Sequence, residues 1–275
     1  MRTQRYRRSR LLVAYRIFGA WYAIWFCVGL IFVGFNRPSL FGPIEDFLFM
    51  FLAGTVLLID VARRIGWLRA LVTFAWVAGM SGIIEAIGAM TGFPFGSYAY
   101  TENFGPRLFG VLPLAIPFAW WAVLMPLHIG LLRFVEHNWI SARTLPFIVG
   151  LFATLIDAAL EPVATIERSY WIWSGGGLWY GVPWVNFLGW FGTATLLSFG
   201  VQFASGVFLS RAYRWENLHT VVIPLAVLFT IIATFLLANI VASFWFAAVL
   251  SALLLIGVIA ALRRMGGFRW RTLAG

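Results

Sequence analysis

Apolar positions in this chain come in long, nearly unbroken runs separated by short connections in which arginine is the prevailing charge. A run of roughly 20 apolar residues is the length that crosses a bilayer core as a helix. The runs predict about eight membrane helices, over 11–35, 43–62, 67–90, 108–132, 144–162, 184–209, 219–240 and 243–262. No stretch is long and polar enough to make a soluble domain or a linker. The expected architecture is therefore an all-α polytopic membrane protein, a single integral membrane domain over 1–275.

Two polar interruptions are longer than the others. One is "TGFPFGSYAYTENFGPR" at 91–107, and the other is "VATIERSYWIWSGGGLWYGVP" at 163–183. Superposing them brings out an internal repeat. Ile84-Glu85-Ala86 matches Ile156-Asp157-Ala158, and at the same offset Ser97-Tyr98 matches Ser169-Tyr170. After one residue of slippage Phe109-Gly110-Val111 matches Tyr180-Gly181-Val182, followed by Pro113 or Pro183. The repeated unit reads as a helix ending in a carboxylate, an aromatic loop and a re-entering helix. Both units start on the same side, so the two are expected as parallel copies related by an axis along the membrane normal.

Composition sharpens the class. The 275 residues are 62% hydrophobic and only 11% charged, against about 25% charged in soluble domains. The net charge of +10 comes entirely from arginine, since the chain has no lysine. With a cytoplasmic N-terminus, most arginines fall in the N-terminal segment, at Arg63, Arg64, Arg69, Arg133, Arg143, Arg211 and Arg214, and in the C-terminal segment. All of these are cytoplasmic connections or ends. The outer loops keep Arg37, Arg107 and Arg168, so the positive-inside rule puts both termini in the cytoplasm and localises the chain to the cytoplasmic membrane. The basic charge marks topology, and no nucleic-acid partner is expected, because no basic patch lies on a soluble surface.

The basic start resembles a signal sequence. Arg16 interrupts the apolar run, however, and no small-residue cleavage site ends it, so a retained first helix is expected. The single cysteine, Cys27, lies mid-helix and reads as a packing residue. His128, His137 and His219 have no partners at metal-ligand spacing, so no metal is expected, and no cofactor motif is present.

Ten residues are acidic. Asp60 is at helical spacing from Arg63 and Arg64, Glu136 and Glu216 fall in cytoplasmic loops, and Glu102 and Glu167 fall in outer loops. These read as ordinary interfacial charges. Glu45, Asp46, Glu85, Asp157 and Glu161 are different, because all five fall in the outer third of the membrane on three separate helices. Asp157 and Glu161 share one helix face, and Pro162 is expected to close that helix. A charge in hydrocarbon costs several kcal/mol, so intramembrane acids face the protein interior and mark function by default. For Glu45 and Asp46 a first-turn position favoured by the helix dipole competes with that reading. For Glu161 an interfacial position competes.

Phe93, Phe95, Tyr98, Tyr100, Tyr170, Trp171, Trp173, Trp179, Tyr180 and Trp184 crowd the same outer level. An aromatic belt accounts for some of them. Their density, together with glycines and prolines that let both loops fold back, reads instead as a lid over the acids. A carboxyl group taken out of water holds its proton to higher pH and can serve as a general acid. Aromatic faces stabilise a developing cation. An acid beside aromatic walls at a lipid-facing site suits protonation of an alkene to a carbocation, with an isoprenoid as substrate.

The blocks "EAIGAMTGFPFGSYAYTENFGPRLFGVLPLAIPFAWW" and "IDAALEPVATIERSYWIWSGGGLWYGVPWVNFLGWF" resemble the two signature blocks of the CruF-type carotenoid hydratases, a family described as carotenoid biosynthesis proteins. The resemblance covers about 75–195. A shorter one links "GPIEDFLFMF" with the Pro-x-Glu-acid segment of the heterodimer-type lycopene cyclases. The resemblance implies hydration of the terminal double bond of an acyclic, lycopene-like carotenoid to a tertiary alcohol, with no cofactor. The acid is then Asp157 or Glu85, the partner carboxylate handles the water, and Glu161 and Glu45 tune the pair. Phe95, Tyr98, Tyr170, Trp173, Trp179 and Tyr180 surround the substrate. Carotenoid cyclisation begins with the same protonation and remains an alternative. Proton-coupled transport is a weaker one, because the inner halves of the helices are apolar. A scaffolding role, or association with other carotenoid enzymes, would leave the acids unexplained.

Overall fold

The computed structural model describes residues 2–37, 41–212 and 221–272. Eight long helical rods make up the described chain: α1 Arg2–Gly34, α2 Ile44–Ile65, α3 Trp67–Thr91, α4 Ala115–Glu136, α5 Leu145–Glu167, α6 Trp184–Ala212, α7 Val222–Val241 and α8 Trp245–Thr272. The expected connection carrying Arg214, Glu216 and His219 lies outside the described residues, as does the start of the seventh expected helix. Among the described residues seven rods are long and apolar enough to cross a membrane. The exception is α2, which carries Glu45 and Asp46 in its first turn and Arg63 and Arg64 in its last. That distribution matches the helix dipole at both ends and leaves an uncharged run from Phe47 to Ile59 between them. The protein is thus an all-α, multi-pass membrane protein.

Packing is centred on α4, the most buried span, which touches α2, α3, α5, α6 and α7. Trp120, Trp121, Leu124, Met125 and Ile129 of α4 are almost wholly enclosed. By contrast α1 is the most exposed span, with Trp21, Ile24 and Ile31 facing outward as a lipid-facing helix requires. Cys27 is on that outer face and not in the packed core expected of it. Helix association in lipid relies on close packing and interhelical hydrogen bonds, because lipid tails are as apolar as leucine. Gly150 of α5 illustrates the first, since a Cβ there would stand 2.9 Å from the Phe191 carbonyl oxygen of α6. His128 and Ser198 illustrate the second, joining α4 to α6 through a 2.8 Å bond from Nδ1 to Oγ. Asp60, fully buried in α2, is gripped by both Nε and Nη2 of Arg64 at 3.1 Å.

Two local departures from the hydropathy reading shape the site. The expected fourth helix, starting at 108, begins only at Ala115, because 107–114 forms a small antiparallel hairpin of β2 Arg107–Leu108 and β3 Leu112–Pro113. Phe109 and Gly110 turn that hairpin with positive φ. Nor does Pro162 close α5. The helix passes through it into a π-helical turn over Val163–Glu167. Proline has no N–H to offer the carbonyl four residues back, and that carbonyl, on Ala158, accepts the Trp179 indole N–H at 2.9 Å. The next one, on Ala159, accepts the Asn239 amide at 2.8 Å. Side chains from the second loop and from α7 thus satisfy the backbone that would otherwise end the helix.

The two aromatic loops meet at one end of the bundle. β1 Tyr98–Tyr100 and β4 Trp171–Trp173 pair antiparallel, with Tyr98 opposite Trp173, Ala99 opposite Ile172 and Tyr100 opposite Trp171. Further bonds from Thr101 N to the Tyr170 carbonyl, 2.9 Å, and from Ser174 N to the Ser97 carbonyl, 2.8 Å, extend the ladder. Side chains alternate across a strand, and Ala99 and Ile172 face outward while their neighbours turn inward.

Candidate active site

Beneath this two-stranded lid lie three buried carboxyl groups: Glu85 from α3, and Asp157 and Glu161 from α5. Glu85 accepts three hydrogen bonds. The Tyr100 hydroxyl donates to Oε2 at 2.8 Å, the Tyr98 hydroxyl to the same oxygen at 3.0 Å, and the Trp120 indole to Oε1 at 2.9 Å. Asp157 and Glu161, one helical turn apart, share a single amide. Asn186 Nδ2 of α6 donates to Asp157 Oδ2 at 2.7 Å and to Glu161 Oε1 at 3.0 Å. The Trp173 indole donates to Glu161 Oε2 at 3.2 Å, and Trp171 lines the same cavity. Asp157 Oδ1 is buried without a hydrogen-bond partner.

Among the described residues no arginine or histidine bonds to any of the three. Three like charges cannot be buried together without a counter-ion, so the cluster is built to hold protons. The phenols above it stay neutral donors, because burial and the adjacent Glu85 raise both Tyr98 and Tyr100 above the ordinary phenol range. Among the described residues no group of three or more His, Cys, Asp or Glu is arranged as a metal site.

Glu85, Glu161 and Asn186 line a cavity of about 30 Å³, walled by Phe95, Tyr98, Tyr100, Trp171, Trp173 and Trp190. Asp157 stands behind them and does not reach the cavity surface. A larger apolar cavity of about 120 Å³ adjoins it across Ile116, Trp171 and Trp190, and includes the other face of Trp120, which stacks on Trp190 at 4.1 Å. Phe95 is wedged between two helices: a Cβ on Gly88 of α3 would stand 2.8 Å from its ring, and one on Gly189 of α6 would stand 2.6 Å from it.

The structure gathers Glu85, Asp157, Glu161, Phe95, Tyr98 and Trp173 into one site. Glu45 is elsewhere, its carboxylate accepting the Phe41 backbone N–H at 2.8 Å. Tyr170 faces the larger cavity, which Asp46 also lines. Trp179 serves the Ala158 carbonyl, and Tyr180 packs edge-on against Phe244 at 5.4 Å. Tyr100 and Trp171, expected in the lid but not among the residues around the substrate, wall the site, and Trp120, Asn186 and Trp190 join it without having been singled out. Asn186 carried a signal, as an amide in the first turn of an otherwise apolar helix, where an unpaired polar group is costly.

Fold and site define a membrane-embedded acid site enclosed by aromatic rings and opening onto an apolar cavity. The chain belongs to the carotenoid biosynthesis protein family, whose model matches residues 46–258. It is 31% identical over 124 residues to the bisanhydrobacterioruberin hydratase of Haloarcula japonica, a match covering 44% of this chain and 41% of that relative. The chain therefore aligns with less than half the length of the curated relative it matches. No solved structure matches it.

Proposed function

We propose that the protein hydrates the terminal double bond of an acyclic carotenoid end group to a tertiary alcohol, working as a multi-pass protein of the cytoplasmic membrane with both termini inside. Family membership and the hydratase relative support the reaction class. The observation that carries it is a cation-free carboxyl cluster opening onto a small cavity walled by six aromatic rings.

The reacting alkene reaches into the small cavity lined by Glu85 and Glu161, and the rest of the end group occupies the adjoining apolar cavity beyond Trp171 and Trp190. Glu161 faces the substrate and shares Asn186 with Asp157, so this pair holds the proton and Glu161 delivers it to the less substituted carbon. Asp157, which the sequence favoured as the acid together with Glu85, acts from behind as the second half of the pair. The tertiary cation that results is faced by the rings of Tyr98, Trp171 and Trp173. Glu85, with three donors on its carboxylate, is the member best provided to carry negative charge close to that cation. Water then captures the cation, and alkene plus water become alcohol with nothing else consumed.

Expression in a host that accumulates lycopene, followed by mass analysis of the pigments, tests the reading. Gain of one water per reacted end supports hydration. Unchanged mass with altered retention identifies cyclisation instead, and unaltered pigment removes the proposed activity on this substrate.

A further inference from the structure

One acid near the lid is not part of the carboxyl cluster. Asp46, in the first turn of α2, lines the 120 Å³ cavity together with Tyr170 and Arg168, on a wall distinct from the one shared with the cluster. The Tyr170 hydroxyl and the Arg168 guanidinium are both close enough to act on its carboxylate. Tyr170 is itself fixed, its ring stacked on Phe104 at 4.5 Å and 19°. Arg168, Val33 and Ala238 also belong to a second cavity of about 280 Å³, which is lined by Asn36, Arg37 and Glu167 and lies at the ends of α1, α5 and α7. Three cavities therefore adjoin in a row: a polar vestibule, the apolar chamber and the carboxyl pocket.

The two acidic stations differ in their surroundings. The cluster of Glu85, Asp157 and Glu161 has like-charged neighbours and no bonded cation. Asp46 is also buried and stands beside Glu45, but unlike the cluster it has the Tyr170 phenol, the Arg168 guanidinium and the positive end of a helix dipole near it, each of which offsets a negative charge. The cluster opens onto the carboxyl pocket and Asp46 lines the chamber that adjoins it, and of two carboxyl sets in such different surroundings the one without a bonded cation is the acid and the cation-supported one is the base. A purely hydrocarbon end group makes no use of Asp46, Tyr170 and Arg168, which are polar in an otherwise apolar wall, whereas a water molecule arriving from the vestibule can hydrogen-bond to them.

We propose that Asp46 is the base that takes a proton from the attacking water, and that this water reaches it through the vestibule past Arg168. The assignment rests on the hydration reading. The steps balance: a Glu161 O–H bond breaks as C–H forms at the less substituted carbon. The water oxygen then forms the C–O bond at the tertiary cation. One water O–H bond breaks, and its proton passes to the Asp46 carboxylate. Solvent exchange at the vestibule removes that proton, and a proton from water returns to the Asp157–Glu161 pair.

Membranes carrying the full chain, supplied with an acyclic carotenoid in D₂O, separate the two half-reactions. Hydrated product reports water capture. Deuterium at the terminal alkene carbon of recovered substrate reports reversible protonation. The wild-type chain is expected to show both and Glu161→Gln neither. Asp46→Asn should lower hydrated product at least about tenfold, within the range of a lost general base, while deuterium still enters recovered substrate. Tyr170→Phe should give the same split more weakly, and it carries the comparison alone if Asp46→Asn does not accumulate in the membrane. Wild-type hydration by these variants, or loss of deuterium exchange in parallel with hydration, overturns the assignment. A wild-type chain that neither hydrates nor exchanges overturns the hydration reading instead.

Discussion

Glu85 and Glu161 are held from two paired strands: Tyr98 and Tyr100 of β1 bond the first, and Trp173 of β4 bonds the second, with Trp171 beside it on the cavity wall. The strand register, centred on Ala99 opposite Ile172, places Tyr98 in correspondence with Trp171 and Tyr100 with Trp173. By hydrogen-bonding role the counterpart of Glu85 is therefore Glu161, although the sequence match pairs it with Asp157. Asp157 is an additional carboxyl on the α5 side. That asymmetry is what a site needs if one half is to store a proton.

Replacing Glu161 or Glu85 by glutamine keeps the shape but removes the acid or the carboxylate that faces the cation, and it costs each site one of its two acceptor oxygens. Hydrated product is expected to fall by about 10² to 10⁴, the usual worth of general acid catalysis, with little change in the amount of folded protein recovered in detergent. Product formation per mole of folded variant, measured by chromatography and mass analysis, checks this.

Asn186→Leu removes the amide shared by Asp157 and Glu161 and leaves two buried oxygens without their donor. Buried acceptors stripped of a partner cost about 1–3 kcal/mol each, so the melting temperature in detergent should fall by several degrees together with activity. An unchanged melting temperature would show that the amide does not support the pair.

Gly88→Ala and Gly189→Ala each push a methyl group against the ring of Phe95 from opposite sides. Overpacking of this kind costs about 1–3 kcal/mol. Because Phe95 is the nearest group to both, Phe95→Leu should relieve Gly88→Ala and only part of Gly189→Ala, whose methyl also meets the Pro94 carbonyl at 2.9 Å, giving couplings in double-mutant cycles that simple additivity would not produce.

Tyr98 and Tyr100 should remain un-ionised between about pH 9 and 11, the ordinary phenol range, because their surroundings raise both. A phenol whose folded value exceeds its unfolded one contributes stability in full below the unfolded value, and that contribution is lost only as pH climbs through the folded one. Ultraviolet titration of the folded Tyr98→Phe and Tyr100→Phe proteins should thus show the same phenolate absorbance in this range as the wild-type protein.

Much of this was legible in the chain. The helices followed from apolar run length, and Glu85, Asp157 and Glu161 stood out because acids are expensive in hydrocarbon. The start of α4 was hidden, since "LFGVLPLAIPF" is equally apolar as hairpin or helix. Pro162 misled because a missing backbone bond can be supplied from far along the sequence, here by Trp179. Tyr100, Trp120 and Trp190 were indistinguishable in sequence from the many other aromatic residues at the membrane level. The pairing of β1 with β4 and the packing of the helices that carry Trp120 and Trp190 determine which aromatic residues point at the acids.

The central claim is that a carboxyl proton and a water molecule add across one alkene. Incubation of the wild-type chain in membranes with an acyclic carotenoid, once in H₂¹⁸O and once in D₂O, measures it directly. The account predicts one ¹⁸O in the new alcohol and one deuterium on the adjacent carbon for each reacted end, and neither label in the hydrated fraction with Glu161→Gln because no such fraction forms. An isomeric pigment of unchanged oxygen content, or an alcohol whose oxygen is not ¹⁸O, would contradict it.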